Sequence, residues 1–207
     1  MVKQLQRQEN NNKNVAVLLE MWLNFYYNIH VLSYTLIGSK EEETRMYLVG
    51  DKVVHPMHGA GIIEAITEER LAGKRANYYV FRMPVGGLVL KIPTENCGAV
   101  GMRELSSDAQ IQAVLQAIPE MDVDMTANWN HRYRENMVRI KSGDLLEVAR
   151  VIKGLMWRDA QRGLSNGERK MLHTAKQILI SEIVLVQDRV YQEAESCLNE
   201  TMMVGAK

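Results

Sequence analysis

The spacing of apolar residues changes along the chain, and it is clearest in a helical hairpin towards the carboxy end. Leu146, Ala149, Val151, Ile152, Leu155 and Met156 recur at helical spacing. The run stops at Arg162-Gly163-Leu164, where glycine suits the left-handed residue just past a helix and Leu164 can fold back onto the last turn. A second helix follows at once. Ser165 is its N-cap, Glu168 completes a capping box, and Met171, Leu172, Ala175, Ile178, Leu179, Ile183 and Val186 form its apolar stripe.

Shorter helical patterns lead up to the hairpin. Ser107 caps a run carrying Ile111, Val114, Leu115 and Ile118, which Pro119 ends. Asn128 caps a run with Trp129, Tyr133, Met137 and Ile140 on one stripe, and Asp144 caps the first hairpin helix. Trp129 and Tyr133, four residues apart, read as core. Met121 to Thr126 is acidic and linker-like, and the tail from Glu193 onward reads as frayed. Residues 104–207 are thus expected to form a compact all-α domain of four or five helices.

In residues 46–103 the period drops to two. Asp51–Val54, Ile62–Ile66, Tyr78–Met83 and Leu88–Ile92 are short β-branched or aromatic runs separated by Gly and Pro. Leu88, Leu90 and Ile92 share one face; Val89 and Lys91 share the other. The expected fold class is α+β: a small SH3- or Tudor-like β-barrel followed by the helical domain. A sheet this small has open edges that can accept a partner's strand.

Residues 1–45 differ from both parts. An Asn-rich start precedes a greasy run from Val15 to Ile37, then the strip Lys40-Glu41-Glu42-Glu43. The run is long enough to span a bilayer, but Glu20, Asn24, Asn28 and His30 interrupt it at a cost in hydrocarbon. It lacks a small-residue cleavage site. It reads as a non-essential extension, disordered or loosely helical. A translated leader is the alternative, since Met46 opens a self-sufficient module; a membrane anchor is the less favoured reading.

Composition adds little at the level of the whole chain. The 207 residues are 46% hydrophobic and 24% charged with zero formal net charge, ordinary for a globular protein. Cys97 and Cys197 lack CxxC spacing, which argues for a reducing compartment without a disulfide framework or zinc motif. Charge becomes informative only locally. From Arg150 to Lys176 lie seven basic residues (Arg150, Lys153, Arg158, Arg162, Arg169, Lys170 and Lys176) against two acids, Asp159 and Glu168. With Trp157 among them, the hairpin reads either as a solvated face or as a phosphate-binding patch with an aromatic that can reach bases.

Other candidate chemistry is weaker. His55 and His58 suggest a metal pair, but no third ligand is near in sequence, and packing of a turn is the plainer reading. Gly59-Ala60-Gly61 and Gly86-Gly87 do not open helices, so turns are preferred to phosphate loops. No catalytic motif is present, and Glu64 and Glu95 read as surface charges; neither enzymatic activity nor a cofactor is expected.

Four motifs together resemble the CarD/CdnL family of bacterial transcription regulators: Val49-Gly-Asp-Lys-Val-Val-His-Pro-Met-His-Gly-Ala60; Pro93-Thr-Glu-Asn96 with Gly101-Met-Arg103; Asn128-Trp-Asn-His-Arg-Tyr133; and Arg162-Gly-Leu-Ser-Asn-Gly-Glu-Arg-Lys-Met-Leu172. The resemblance spans residues 46–190. It implies a Tudor-like module (46–103) that docks on the RNA polymerase β subunit, and a helical module (104–207) that contacts promoter DNA at the upstream edge of the melted bubble. Such a protein stabilises the open complex. The family's basic polymerase contacts fall on Lys91 and on Glu69, with Arg70 adjacent. Its groove-wedging tryptophan is aligned to Met156, with Trp157 one residue later. The DNA-binding set implied is Met156, Trp157, Arg158, Arg162, Arg169, Lys170 and Lys176. A cytoplasmic, nucleoid-associated monomer is expected, and the rival is a protein-interaction adaptor that never touches DNA.

Overall fold

In the computed structural model the chain divides after Glu43, and the second unit is Thr44–Lys207. The structure describes residues 46–71, 74–123 and 128–204. The expectations for the leader, the greasy run and its membrane alternative fall outside the described residues. Among the described residues no helix is long and apolar enough to cross a membrane.

The architecture is α+β. Five antiparallel strands, β1 (Lys52–His55), β2 (Gly59–Leu71), β3 (Lys74–Arg82), β4 (Val89–Pro93) and β5 (Arg103–Glu104), form one sheet of order β4-β3-β2-β1-β5. The long strand β2 serves two partners: its first residues pair with β1, while the stretch from Ile62 onward pairs with β3. A register shift between Ile63 and Ala65 bends it. The expected barrel is not closed among the described residues, because β4 and β5 each pair with a single strand. Tyr79, Phe81, Met83 and Ile63 are fully buried in the sheet's core, which Tyr47 and Met102 join. Tyr47 donates its hydroxyl to the Met102 carbonyl and its amide to the Tyr79 hydroxyl. Gly61 is required by close approach: a Cβ there would stand 2.5 Å from the Arg82 carbonyl oxygen and 2.7 Å from the Phe81 ring.

The described residues also hold six α-helices, α1 (Cys97–Val100), α2 (Asp108–Ala117), α3 (Trp129–Lys141), α4 (Leu145–Arg162), α5 (Asn166–Gln187) and α6 (Tyr191–Met203), and two short 3-10 helices, Thr94–Asn96 and Ile118–Glu120. The caps read from sequence are in place. Ser107 and Ser165 each close a capping box, Asn128 accepts from the His131 amide, and Asp144 accepts from Leu146 and Glu147. Gly163 ends α4 at φ 74°, and Leu164 is buried beneath it. The hairpin α4–α5 supplies most of a second core, separate from that of the sheet.

Two expectations change. The tail is not frayed: α6 packs Ala194, Leu198 and Met202, all 1% exposed or less, into the helical core. The reading failed because Glu193, Glu195 and Glu200 dominate the sequence there, while a three- to four-residue apolar stripe carries the packing. Trp129 and Tyr133 are not core: they are 43% and 37% exposed. The buried side of α3 instead carries Arg132, Asn136 and Ile140.

Candidate nucleic-acid interface

The turn between α4 and α5 is organised by one buried carboxylate. Glu168 is 4% exposed. Its Oε2 accepts from the Ser165 amide at 3.0 Å and from the Ser165 hydroxyl at 2.8 Å. Its Oε1 accepts from Arg132 Nη2 at 3.1 Å and lies 3.3 Å from Arg158 Nε. Burial alone would push this carboxyl up, but the Ser165 hydroxyl and amide, then Arg132 and Arg158, together hold it below its ordinary value. The ionised form therefore belongs to the fold, and one negative charge is shared by two guanidinium groups.

The same serine reaches α3. Trp129 Nε1 donates to Ser165 Oγ at 3.1 Å. The indole stacks on Tyr133 with ring centroids 5.3 Å apart and planes at 27°. The pair lies over the first turn of α5, where a Cβ on Gly167 would meet the indole at 3.5 Å and the Tyr133 ring at 3.9 Å. Two exposed aromatic rings thus sit at the amino end of a 22-residue helix.

Around this corner the basic residues separate into two groups. Arg162, Arg169 and Lys170 are exposed at the turn, with Arg169 Nε donating to the Leu164 carbonyl at 3.1 Å. The others are held by the protein. Arg158 turns inward to Glu168, and Lys176 donates to the Asn199 side chain at 2.8 Å. Arg150 donates to the Asp122 carbonyl and pairs with Glu147. Lys153 is 5% exposed and donates to the carbonyls of Ile118 and Pro119, in the 3-10 turn that follows α2. The cationic surface is therefore smaller than the count along the sequence. Met156 packs against the helical core and Trp157 is half-buried, so neither is displayed as Trp129 is.

Sequence reasoning missed Trp129 and Tyr133 as surface residues. The available signal was the polar company on their helix: Asn130, His131, Arg134 and Glu135 leave α3 with little apolar surface, and its buried positions are an arginine, an asparagine and an isoleucine.

On the sheet, Lys91 of β4 pairs with Glu69 of β2 across β3, and Arg82 pairs with Glu64. Arg70 follows Glu69 directly in the strand and so projects from the opposite face. The structure therefore does not bring Lys91 and Arg70 together. Among the described residues β4 pairs with β3 alone, and Leu88, just before it, and Val89, its first residue, are 40% and 42% exposed. The His55 and His58 rings lie with centroids 4.6 Å apart and planes tilted by 56°, with His55 Nδ1 accepting from the Met57 amide; they pack the β1–β2 turn. Among the described residues no group of three or more His, Cys, Asp or Glu is placed to hold a metal ion.

Residues 47–106 match the family described as CarD-like/TRCF RID domain, and residues 113–199 match the CarD C-terminal domain. The Bacillus subtilis (strain 168) protein named "Putative transcription factor YdeB" is 32% identical over 151 residues, covering 73% of this chain and 99% of that protein. With both modules matched in order and the relative covered almost throughout, the chain belongs to the CarD/CdnL family of transcription regulators.

Proposed function

We propose that the protein binds the RNA polymerase β subunit through its sheet and promoter DNA through the α3–α4–α5 corner, and so stabilises the open complex. The observation that carries the DNA half is the exposed Trp129–Tyr133 stack beside Arg162, Arg169 and Lys170. Guanidinium and ammonium groups hold phosphates, while an exposed indole offers a flat apolar face to an unstacked base step. Trp129 fits this wedge role better than Met156 or Trp157, because it is displayed and pinned by its N–H. Arg158 and Lys176 would support the surface from within rather than bind phosphate first. With few free cations, affinity for DNA alone should be weak, and polymerase must supply the local concentration.

On the polymerase side, the β4 edge and Lys91 are the contacts proposed, with Arg70 on the other face as a secondary contact. The mechanism is differential binding: a regulator that grips the opened promoter better than the closed one shifts that equilibrium, and about 1.4 kcal/mol gives a tenfold shift. The protein would act as a monomer in the cytoplasm, associated with the nucleoid. The test is the lifetime of preformed open complexes after competitor challenge, with and without saturating protein; equal lifetimes reject the proposal. A second reading, an adaptor without DNA contact, is favoured by the internal pairing of Arg158 and Lys176. It predicts no salt-dependent DNA binding.

A further inference from the structure

The sheet and the helices keep separate apolar cores; Met57 of the β1–β2 turn packs against the helical one, and beside it a set of polar contacts joins the two parts. Glu182 of α5 has no exposed surface. Its two oxygens accept from Nη1 and Nη2 of Arg103, each at 2.8 Å, and Oε1 also accepts from the Ser106 amide at 2.7 Å. The same guanidinium donates from Nε to the Gly143 carbonyl at 3.0 Å, in the connection between α3 and α4. The next contact lies one residue earlier on α5. The Ser181 hydroxyl accepts from the Ala60 amide at 2.8 Å, and a Cβ on Gly59 would stand 2.3 Å from it. Lys52 Nζ reaches the Leu185 carbonyl at 3.3 Å, further along the same helix.

A buried ion pair stabilises little beyond what well-packed apolar residues of the same shape would. What it imposes is geometry, because a planar fork on a planar carboxylate sets both distance and angle. Here Arg103 ties strand β5 to α5 and to the start of α4 at one point. Apolar packing alone would tolerate sliding; the fork restricts it.

We infer that Glu182 and Arg103 are positioning residues that fix the angle between the polymerase-facing sheet and the DNA-facing corner. This rests on the reading above, that the two halves meet different partners. The leverage is large. From Glu182 to the amino end of α5 is roughly 24 Å of helix, so a tilt of about 10° at the seam would move the aromatic corner by about 4 Å. That displacement exceeds what any hydrogen-bonded or stacked contact survives.

The experiment uses the full chain with Glu182→Gln, which keeps shape but removes the charge, and Arg103→Lys, which keeps charge but loses the fork. Spin labels at the exposed positions 75 and 161 report the distance from sheet to hairpin in a Cys197→Ser background. Cys97 is buried, and burial pushes its thiol up to about 11, so it stays unlabelled near neutral pH. Glu182→Gln should broaden the distance distribution, leave affinity for polymerase alone within about twofold, and shorten open-complex lifetime by about threefold or more. Arg103→Lys should fall between it and the parent. An unbroadened distribution overturns the inference, and so does a broadened one with an unchanged lifetime. If Glu182→Gln does not fold, Ser181→Ala perturbs the same seam more gently, and the same two outcomes decide. Were the parent protein itself without effect on open complexes, the functional reading would fall, while the distance measurement would still decide whether the seam sets the angle.

Discussion

The indole N–H of Trp129 and the hydroxyl of Ser165 meet at 3.1 Å across 36 residues of sequence. Ser165 is also the N-cap of α5 and the partner of Glu168. One hydroxyl thus starts the long helix and orients the exposed aromatic that stands over it. The arrangement makes the display of Trp129 a consequence of the cap rather than of burial.

Trp129→Ala should shorten open-complex lifetime by about tenfold, since base stacking on an aromatic is worth about 1–3 kcal/mol. Its effect on melting temperature should be small, because the ring is 43% exposed. Trp157→Ala should leave lifetime unchanged. Competitor-challenge assays on both variants check this, and the opposite ranking would return the wedge to the α4 face.

Glu168→Ala leaves Arg132 and Arg158 facing each other without their shared anion. The expected loss is about 3 kcal/mol of folding stability, because two guanidinium groups then lose the carboxylate that both are held against. Ser165→Ala should cost less, about 1 kcal/mol, as for other helix caps. Urea denaturation measures both. A Glu168→Ala cost below that of Ser165→Ala would mean that the guanidinium groups do not depend on the carboxylate.

Acid should destabilise the protein in two stages. Burial, then the neighbouring His58, pushes His55 down from 6.5 to about 4, and burial lowers His58 as well. A histidine with a depressed folded pKa keeps its full contribution above 6.5 and loses it as pH falls towards 4, because the unfolded chain takes up the proton first. Screened by the solvent the pair still touches, the effect is about 1–2 kcal/mol. Glu168 acts further down: its contribution is full above 4.5 and is lost as pH falls through its depressed folded value. Stability measured from pH 7 to 4 should therefore decline, and His55→Gln should flatten the curve between 6.5 and 4. A curve already flat in the parent would contradict the burial of the pair.

Leu198→Ala in α6 should cost about 2–5 kcal/mol, as a fully buried leucine does. A frayed tail would tolerate the change. Chemical denaturation of the variant distinguishes the two.

Glu69→Ala and Lys91→Ala should move polymerase affinity in opposite directions. Lys91 pairs with Glu69 in the free protein, so removing the acid releases the cation, and removing the lysine abolishes it. Titration against polymerase at low and moderate salt reads the result; equal effects of the two changes would remove Lys91 from the interface.

Local rules carried the sequence a long way. The caps at Ser107, Asn128, Asp144 and Ser165, the break at Gly163 and the switch from period two to period 3.6 are decided within a few residues, by hydrogen-bond geometry and side-chain spacing. The family resemblance also rests on linear motifs, and the matches over residues 47–106 and 113–199 agree with it. Only tertiary structure decided which charges are free. Lys153 is held by the carbonyls of Ile118 and Pro119, Arg158 turns to Glu168, and Lys176 is held by Asn199, while Trp129 and Tyr133 emerge on the surface. Periodicity tells which residues share a stripe, but not whether a stripe meets the core or solvent, or which distant carboxylate or carbonyl reaches a cation first. Those outcomes depend on where α3 lies against α5 and on the seam that Arg103 and Glu182 close, distances set between elements far apart in the chain.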